Sequence, residues 1–329
     1  MRIIFLGTPE FALPSLEALI NSRHEILAVV TQPDKPAGRG NKLTPSPVKE
    51  FAIKNKIKVL EYLKVSRDGV KDLKELNPDI MITVAYGQIL SPEILDIAKH
   101  GVINVHGSLL PKYRGASPIQ TAVIEGEEET GITIMQTEAG LDTGDILSQI
   151  ATPIGEYETA GELGVRLASL GAQLLLDTLD KIEKNQIVPE KQNQVKATIT
   201  RKIFKEDCTI NFNKSAKQIK CLVYGANPEP IARAVLEKDE TVIKVYSLRV
   251  LSEEEIIEID SKGASGEVIE PTSAKNGLFV QCEPGVVELL EVQFPGKGII
   301  TGKAAVAGRK IGVGDKFKFK VATVKNNIK

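Results

Sequence analysis

The stretch Val102-Ile103-Asn104-Val105-His106-Gly107-Ser108-Leu109-Leu110-Pro111 changes from an apolar, strand-forming run into a glycine turn. Side chains two residues apart on a strand point to the same face, so Asn104 and His106 project together just before the turn at Gly107. In open α/β sheets, ligands bind outside the carboxyl ends of the strands. The stretch therefore predicts a strand of an α/β sheet with a polar pair at its functional end.

Apolar runs and helical patterns alternate before this strand. We predict strands at 2–6, 26–31, 58–60 and 79–85, and helices at 8–20, 47–55, 70–76 and 92–99. This alternation is typical of a doubly wound, mostly parallel, Rossmann-like sheet. Gly7-Thr8-Pro9-Glu10, which follows the first strand, lacks the other two glycines of a dinucleotide fingerprint. We therefore do not expect NAD binding.

The remaining chain predicts a second domain. Strands at 131–136 and 146–154 and a leucine-striped helix at 160–184 complete a catalytic domain at 1–187. Residues 188–205 are basic and lack periodicity, which indicates an exposed linker. Short β-type segments with Gly- and Pro-rich turns then predict a small OB-like β-barrel domain at 206–329.

Composition narrows the class of protein. The net charge is -1, and three widely separated cysteines (Cys208, Cys221 and Cys282) form no CxxC pair. An odd, sparse cysteine count favours a reducing compartment over a disulfide framework or a thiolate zinc site. There is no apolar run of about 18 residues that could cross a membrane. We expect a cytoplasmic monomer with no metal and no membrane partner.

His106 is the candidate catalytic histidine, because it shares a strand face with Asn104; a buried structural histidine is the alternative. A carboxylate could orient one imidazole nitrogen. Asp142, between Gly140 and Gly144, is the first candidate for that carboxylate, and Asp145 is the rival. An amide donor beside a histidine suits stabilisation of an oxyanion in acyl transfer. The chain shows no serine or cysteine nucleophile elbow, which favours direct transfer over a covalent intermediate.

Positive charge is concentrated in three places. The 32–42 loop carries Lys35, Arg39 and Lys42, and the linker carries Lys191, Lys196 and Arg201. From residue 296 onward, the sequence contains nine Lys and Arg but only one acidic residue, Asp315. A solvated loop and a charged edge strand are the alternatives. Together the three clusters favour phosphate contacts to a nucleic acid.

Residues 104–111 (NVHGSLLP) and 140–145 (GLDTGD) resemble the folate-dependent formyltransferases. Five further motifs resemble the branch of that family that acts on methionyl-tRNA: 7–11 (GTPEF), 31–40 (TQPDKPAGRG), 108–119 (SLLPKYRGASPI), 205–207 (KED) and 308–317 (GRKIGVGDKF). The resemblance covers essentially the whole chain.

The resemblance implies transfer of a formyl group from 10-formyltetrahydrofolate to the α-amine of initiator methionyl-tRNA. Asn104 would hold the formyl oxygen as it becomes an oxyanion, and His106, oriented by Asp142, would stabilise that charge or move the proton. The basic loop would engage the acceptor arm, and the linker and second domain the tRNA body. The residues expected to line the folate site are Ser108, Leu109, Leu110, Pro111, Tyr86 and Gly87.

Departures from the family pattern lie in the second domain. The chain has no tryptophan, Glu229 stands where relatives often have an aromatic or basic residue, and Ile210-Asn211-Phe212 replaces Ile-Asp-Trp. A formyltransferase acting on a nucleotide sugar or small ribotide amine is the first alternative, but a small acceptor needs no cationic track. A non-catalytic RNA-binding or dinucleotide-sensing module is the second, but it would not need Asn104, His106 and Asp142 together.

Overall fold

The structure is a computed structural model that describes residues 1–37, 42–257, 263–270 and 277–319. The strands are β1 (Arg2–Gly7), β2 (Glu25–Thr31), β3 (Lys35–Ala37), β4 (Lys42–Thr44), β5 (Val59–Glu61), β6 (Ile80–Val84), β7 (Val102–His106), β8 (Arg114–Gly115), β9 (Glu129–Gln136), β10 (Ile146–Pro153), β11 (Ile199–Thr200), β12 (Ala232–Leu236), β13 (Val242–Val250), β14 (Val268–Ile269), β15 (Phe279–Gln281), β16 (Val286–Gln293), β17 (Ile299–Thr301) and β18 (Phe317–Lys318). The helices are α1 (Leu13–Ile20), α2 (Pro47–Lys54), α3 (Val65–Asp68), α4 (Val70–Leu76), α5 (Pro92–Leu95), α6 (Pro118–Glu125), α7 (Ala160–Glu183), α8 (Ala216–Gly225), α9 (Glu253–Ile257) and α10 (Gly302–Ala307).

The chain divides into two compact units. The first consists of Met1–Pro118, Glu129–Pro153 and Glu162–Thr200, and the second of Ile119–Glu128, Ile154–Gly161 and Arg201–Lys329.

The first unit contains a seven-stranded sheet in the order β5–β2–β1–β6–β7–β9–β10. The first five strands in this order are parallel, β9 pairs antiparallel with β7, and β10 pairs antiparallel with β9. From β1 the chain winds outward to β2 and β5, whereas β6 and β7 lie on the other side of β1. The strand order therefore reverses between β1 and β6, the position at which such sheets bind ligands. The predicted doubly wound, mostly parallel sheet is confirmed.

Burial explains why these strands are so apolar. Every residue of β6 is buried, as are all but the first residue of β1, because both faces of a parallel sheet are covered. The leucine stripe predicted for α7 packs into the core at Leu163, Leu167 and Leu175, which have no exposed surface. The other two predicted members, Leu170 and Leu174, are half-buried. No helix among the described residues is long and apolar enough to span a membrane.

The second unit contains a β-barrel. Its strands follow the order β14–β15–β16–β13–β12–β18, with β17 paired to β16. Glu267 and Lys316 form a β-bridge. Beside it, Val268 N donates to Asp315 O (2.8 Å), and Phe317 N donates to Gly266 O (2.8 Å). These hydrogen bonds join the two ends of the sheet, so it closes on itself. The predicted small barrel is confirmed.

Three local predictions were wrong. Residues 32–42 were predicted as a loop, but β3 and β4 pair antiparallel, with Lys35 opposite Thr44; three-residue strands are too short to show a period. The helix predicted at 92–99 ends at Leu95, because the chain must then turn to enter β7. The 188–205 segment is not exposed throughout, because Gln192 and Thr200 are buried against the first unit.

Candidate active site

The carboxyl end of β7 places two polar side chains on one face of the first sheet. β7 lies between β6 and β9, so Thr83 stands beside Asn104, and Thr133 pairs with His106. The other three residues of β7 are buried and apolar. Asn104 and His106 share a face because side chains alternate along a strand. The pair predicted from the sequence lies at the carboxyl end of a central strand.

The two polar atoms of the Asn104 amide differ in their hydrogen bonding. Thr83 Oγ1 donates a hydrogen bond to Asn104 Oδ1 at 3.0 Å, which fixes the amide oxygen toward β6. Among the described residues, Asn104 Nδ2 makes no hydrogen bond, and the residue is only half-buried. The amide N–H is therefore a donor available to a ligand oxygen.

The His106 ring is held by a backbone group. Its Nε2 lies 2.9 Å from Tyr113 O. A carbonyl oxygen only accepts, so Nε2 carries the hydrogen, and in the neutral ring Nδ1 is the acceptor. Nδ1 lies 3.7 Å from Asp142 Oδ2, which is too far for a hydrogen bond but close enough for charges to interact. We expected a carboxylate to orient the ring; in the structure the Tyr113 carbonyl does so, and the carboxylate faces the basic nitrogen.

Asp142 comes from the loop between β9 and β10. The loop begins at the far end of β7, where Thr137 N donates to Val102 O at 2.7 Å, and it returns along the sheet. Asp142 has a φ of 49°, in the left-handed region that aspartate tolerates better than most residues. Gly115 N donates to Asp142 Oδ2 at 2.7 Å, which holds the carboxylate in place.

Geometry separates the two candidate aspartates. Asp142 is the one beside His106. Asp145 is half-buried, and its backbone oxygen accepts a hydrogen bond from Gln136 N at 2.8 Å, at the junction of β9 and β10.

Two residues that build this site were not among those expected from the sequence. Tyr113 contributes a carbonyl oxygen and Gly115 an N–H, so neither contribution depends on a side chain. Gly115 has a φ of 108°, and a Cβ at this position would lie 2.3 Å from Thr200 O. The signal in the sequence is a glycine next to the polar run Lys112-Tyr113-Arg114, and such a run is equally typical of a surface loop.

Of the six residues expected to line a folate site, three are buried and three are half-buried or exposed. Ser108, Leu110 and Tyr86 are buried at 0%, 4% and 3% exposure, so their side chains offer no surface to a ligand in this structure. Leu109 and Pro111 are half-buried, and Gly87 is exposed.

Each of the three buried residues has a structural partner. Ser108 Oγ donates to the Lys112 carbonyl at 2.7 Å. Leu110 packs with Met135, and Tyr86 lies in the core cluster of the first unit. Ile89, which was not among the expected residues, follows β6 and is 87% exposed although it is apolar.

The basic residues of the first unit lie on exposed segments. Lys35 and Lys42 are exposed on β3 and β4, and Lys35 Nζ bonds Gln32 Oε1. Arg39 lies outside the described residues. Lys191 and Lys196 are exposed on the 188–205 segment.

Several basic residues of the second unit are already paired with carboxylates. Arg201 makes a two-point contact with Asp207, at 2.5 and 2.7 Å. Lys316 Nζ lies 3.6 Å from Glu267, and Lys318 Nζ lies 2.5 Å from Glu240.

The comparisons with known proteins agree with this architecture. The formyl transferase family matches residues 1–179, and the formyl transferase C-terminal domain family matches residues 202–310. Among solved structures, an N-formyltransferase from Helicobacter canadensis in complex with folinic acid and dTDP-3-aminofucose has a TM-score of 0.66 at 22% identity, covering 87% of this chain and 98% of its own. HypX from Aquifex aeolicus, in complex with tetrahydrofolic acid, has a TM-score of 0.60 at 15% identity, covering 97% and 51%. These two structures support the fold.

Much more similar sequences identify the family. The methionyl-tRNA formyltransferase of Acetivibrio thermocellus is 47% identical over 316 residues, covering 96% of this chain and 99% of the relative. The methionyl-tRNA formyltransferase of Thermodesulfovibrio yellowstonii is 45% identical over 313 residues, covering 95% and 97%. With both domain families matched in order along its length, the chain belongs to the methionyl-tRNA formyltransferase family.

Proposed function

We propose that this chain transfers the formyl group of 10-formyltetrahydrofolate to the α-amine of methionine on initiator tRNA, as a cytoplasmic monomer. One observation carries the chemistry. At the end of β7, a free amide donor (Asn104 Nδ2) and a basic nitrogen (His106 Nδ1) share one sheet face, and a carboxylate (Asp142) lies beside the second. Attack of an amine on a formyl carbon needs a donor for the oxygen and an acceptor for the proton.

In this mechanism 10-formyltetrahydrofolate supplies the formyl group and departs as tetrahydrofolate. Asn104 Nδ2 donates to the formyl oxygen as negative charge develops there during formation of the new C–N bond. His106 Nδ1 accepts the proton lost by the attacking amine and returns it to folate N10 as the old C–N bond breaks. Asp142 stabilises the imidazolium that exists between these two transfers, because its carboxylate lies 3.7 Å from Nδ1.

The remaining assignments complete the proposal. Leu109, Pro111 and Gly87 lie along the folate site, and exposed Ile89 is available to cover an apolar ring next to the β1–β6 reversal. The other three expected residues, Ser108, Leu110 and Tyr86, are buried and support the residues that line the folate site rather than contacting the ligand.

We assign tRNA binding to the basic segments. Residues 1–187 form the catalytic domain, residues 188–205 a linker, and residues 206–329 a domain that holds the tRNA body. Lys35, Arg39 and Lys42 engage the acceptor arm, and Lys191, Lys196 and Arg201 contact phosphates along the linker. Exposed lysines on an extended segment suit backbone phosphate contacts.

The test compares formyl acceptors under identical conditions. Purified protein and 10-formyltetrahydrofolate are mixed with initiator methionyl-tRNA, elongator methionyl-tRNA or an amino-sugar nucleotide, and the formylated product is quantified. We expect rapid formylation of the initiator and little of the other two. Formylation of the amino-sugar nucleotide without formylation of tRNA would replace our proposal with the small-acceptor alternative.

A further inference from the structure

The side chain of Gln192 lies against the loop that carries Asp142. Gln192 is 7% exposed. Its Nε2 donates to Asp142 O at 2.8 Å and to Gly144 O at 2.7 Å. Its Oε1 accepts from Arg114 Nη2 at 2.7 Å and Nε at 3.0 Å. All four hydrogen-bonding positions of the amide are therefore occupied.

These partners fix the orientation of the amide. A flipped amide would point its NH₂ at the Arg114 guanidinium and its oxygen at two carbonyl oxygens, and every contact would then be unfavourable. Arg114 is 5% exposed, and its Nη1 donates to Gln194 Oε1 at 2.9 Å, so the guanidinium is held as well. The donor end of Gln192 can point only at the loop.

The loop needs such a restraint. Asp142 has a left-handed φ of 49°, and a Cβ on Gly144 would lie 1.9 Å from Gln136 O, so the turn is both strained and tight. Gly115 N holds the Asp142 carboxylate at 2.7 Å, while Gln192 holds the backbone of the same residue. Together they determine where the carboxylate lies relative to the His106 ring.

We propose that Gln192 is a positioning residue: by holding the Asp142–Gly144 backbone, it keeps the Asp142 carboxylate next to His106 Nδ1. The inference rests on the proposed function, because it needs Asp142 to act in formyl transfer. It also gives the 188–205 segment, interpreted from the sequence as a linker, a direct role at the active site. A misplacement of about 1 Å in a catalytic group can lower the rate about 100-fold.

A purely structural role for Gln192, through Arg114, is the competing explanation. Gln192→Glu separates the two, because a carboxylate retains and strengthens the contact with the guanidinium but loses both donors to the loop. Gln194→Glu is the matched control: it makes the same change two residues away, against the same guanidinium, without touching the loop.

The experiment measures kcat, the KM for each substrate and the melting temperature for Gln192→Glu, Gln194→Glu, Asp142→Ala and the Gln192→Glu/Asp142→Ala double variant. We expect Gln192→Glu to lower kcat about 10- to 100-fold with little change in either KM. Gln194→Glu is expected to stay within about 3-fold of wild type. In the Asp142→Ala background, Gln192→Glu is expected to change kcat by less than about 3-fold, because the two residues act as one unit.

The outcomes separate this inference from the proposed function. An equal loss from Gln192→Glu with and without Asp142 would overturn the positioning role and leave the function standing. Wild-type kcat in Asp142→Ala would instead remove Asp142 from the mechanism, and with it the inference. If Gln192→Glu does not fold, Gln192→Met is measured with and without Asp142→Ala instead. Methionine loses the acceptor for Arg114 as well as the two donors, so the comparison between these two backgrounds, and not the single variant, separates the two roles.

Discussion

Replacement of Asn104 by alanine tests the mechanism at its least redundant group. Asn104 Nδ2 is the free donor on the active face of β7, so the variant removes the proposed hydrogen bond to the developing oxyanion. Loss of one such donor typically lowers kcat about 10²- to 10³-fold, or about 2.7–4 kcal/mol. We expect a loss in this range in a single-turnover formylation assay with saturating initiator methionyl-tRNA and 10-formyltetrahydrofolate.

The same substitution should affect stability only slightly. It removes the hydrogen bond from Thr83 Oγ1, a loss of about 0.5–1.5 kcal/mol. The Thr83 hydroxyl also lies 3.2 Å from Ile103 O, so it retains an acceptor and is not left unsatisfied. A change of this size lowers the melting temperature by about 1–6 °C, which leaves the protein folded during the assay.

Thr83→Val is the matched control, because it removes the same hydrogen bond from the other side and leaves the Asn104 amide in place. We expect a similar loss of melting temperature and a kcat within about 5-fold of wild type. The oxyanion assignment is refuted if Asn104→Ala keeps near-normal kcat.

Three further predictions concern other parts of the chain. Burial raises the pKa of the Cys282 thiol to about 12, so this residue should resist iodoacetamide at pH 8 until denaturant is added, as mass spectrometry would detect. Lys191→Ala and Lys196→Ala should each weaken tRNA binding and lower the slope of log affinity against log salt by about 0.7–0.9, measured by filter binding. Gly115→Ala should lower both the melting temperature and kcat, because its Cβ would lie 2.3 Å from Thr200 O.

The strand that carries the site could be predicted because its signal is local. Alternation of Asn104 and His106 with apolar residues is contained in five residues, and strand–helix alternation then gives the type of sheet. The position of Asp142 could be suggested only from its flanking glycines. Its contact with His106 depends on a loop that starts at the far end of β7, and no local pattern encodes that return.

The groups that hold the site in place were invisible for a different reason. The carbonyl of Tyr113 and the N–H of Gly115 belong to the backbone, which every residue possesses, so the sequence does not mark them. Gln192 lies in a stretch rich in lysine and glutamine, whose composition is typical of an exposed segment, and only the fold shows that its amide is buried.

The C-terminal strand shows the limit of period-two reasoning. Alternation in Lys316-Phe317-Lys318-Phe319 predicts a strand with lysines on one face and phenylalanines on the other. Phe317 is buried and stacks on Phe212 with ring centroids 5.2 Å apart, as the pattern predicts. Phe319 is 45% exposed, because β18 ends at Lys318 and Phe319 itself is not paired in the sheet.

Ion pairing decides which basic residues are available to tRNA. The two-point contact with Arg201 lowers the pKa of the Asp207 carboxyl, so the carboxylate stays charged, and it also accepts from Phe204 N at 2.9 Å. A phosphate must displace this carboxylate to reach the guanidinium. The free energy gained by binding phosphate at Arg201 is therefore only the difference between the phosphate contact and the similar contact with Asp207. Among the described residues, Lys191 and Lys196 make no ion pair, and both are exposed. We therefore expect phosphate binding and its salt dependence to depend more on these two lysines than on Arg201, which holds the turn from Arg201 to Asp207.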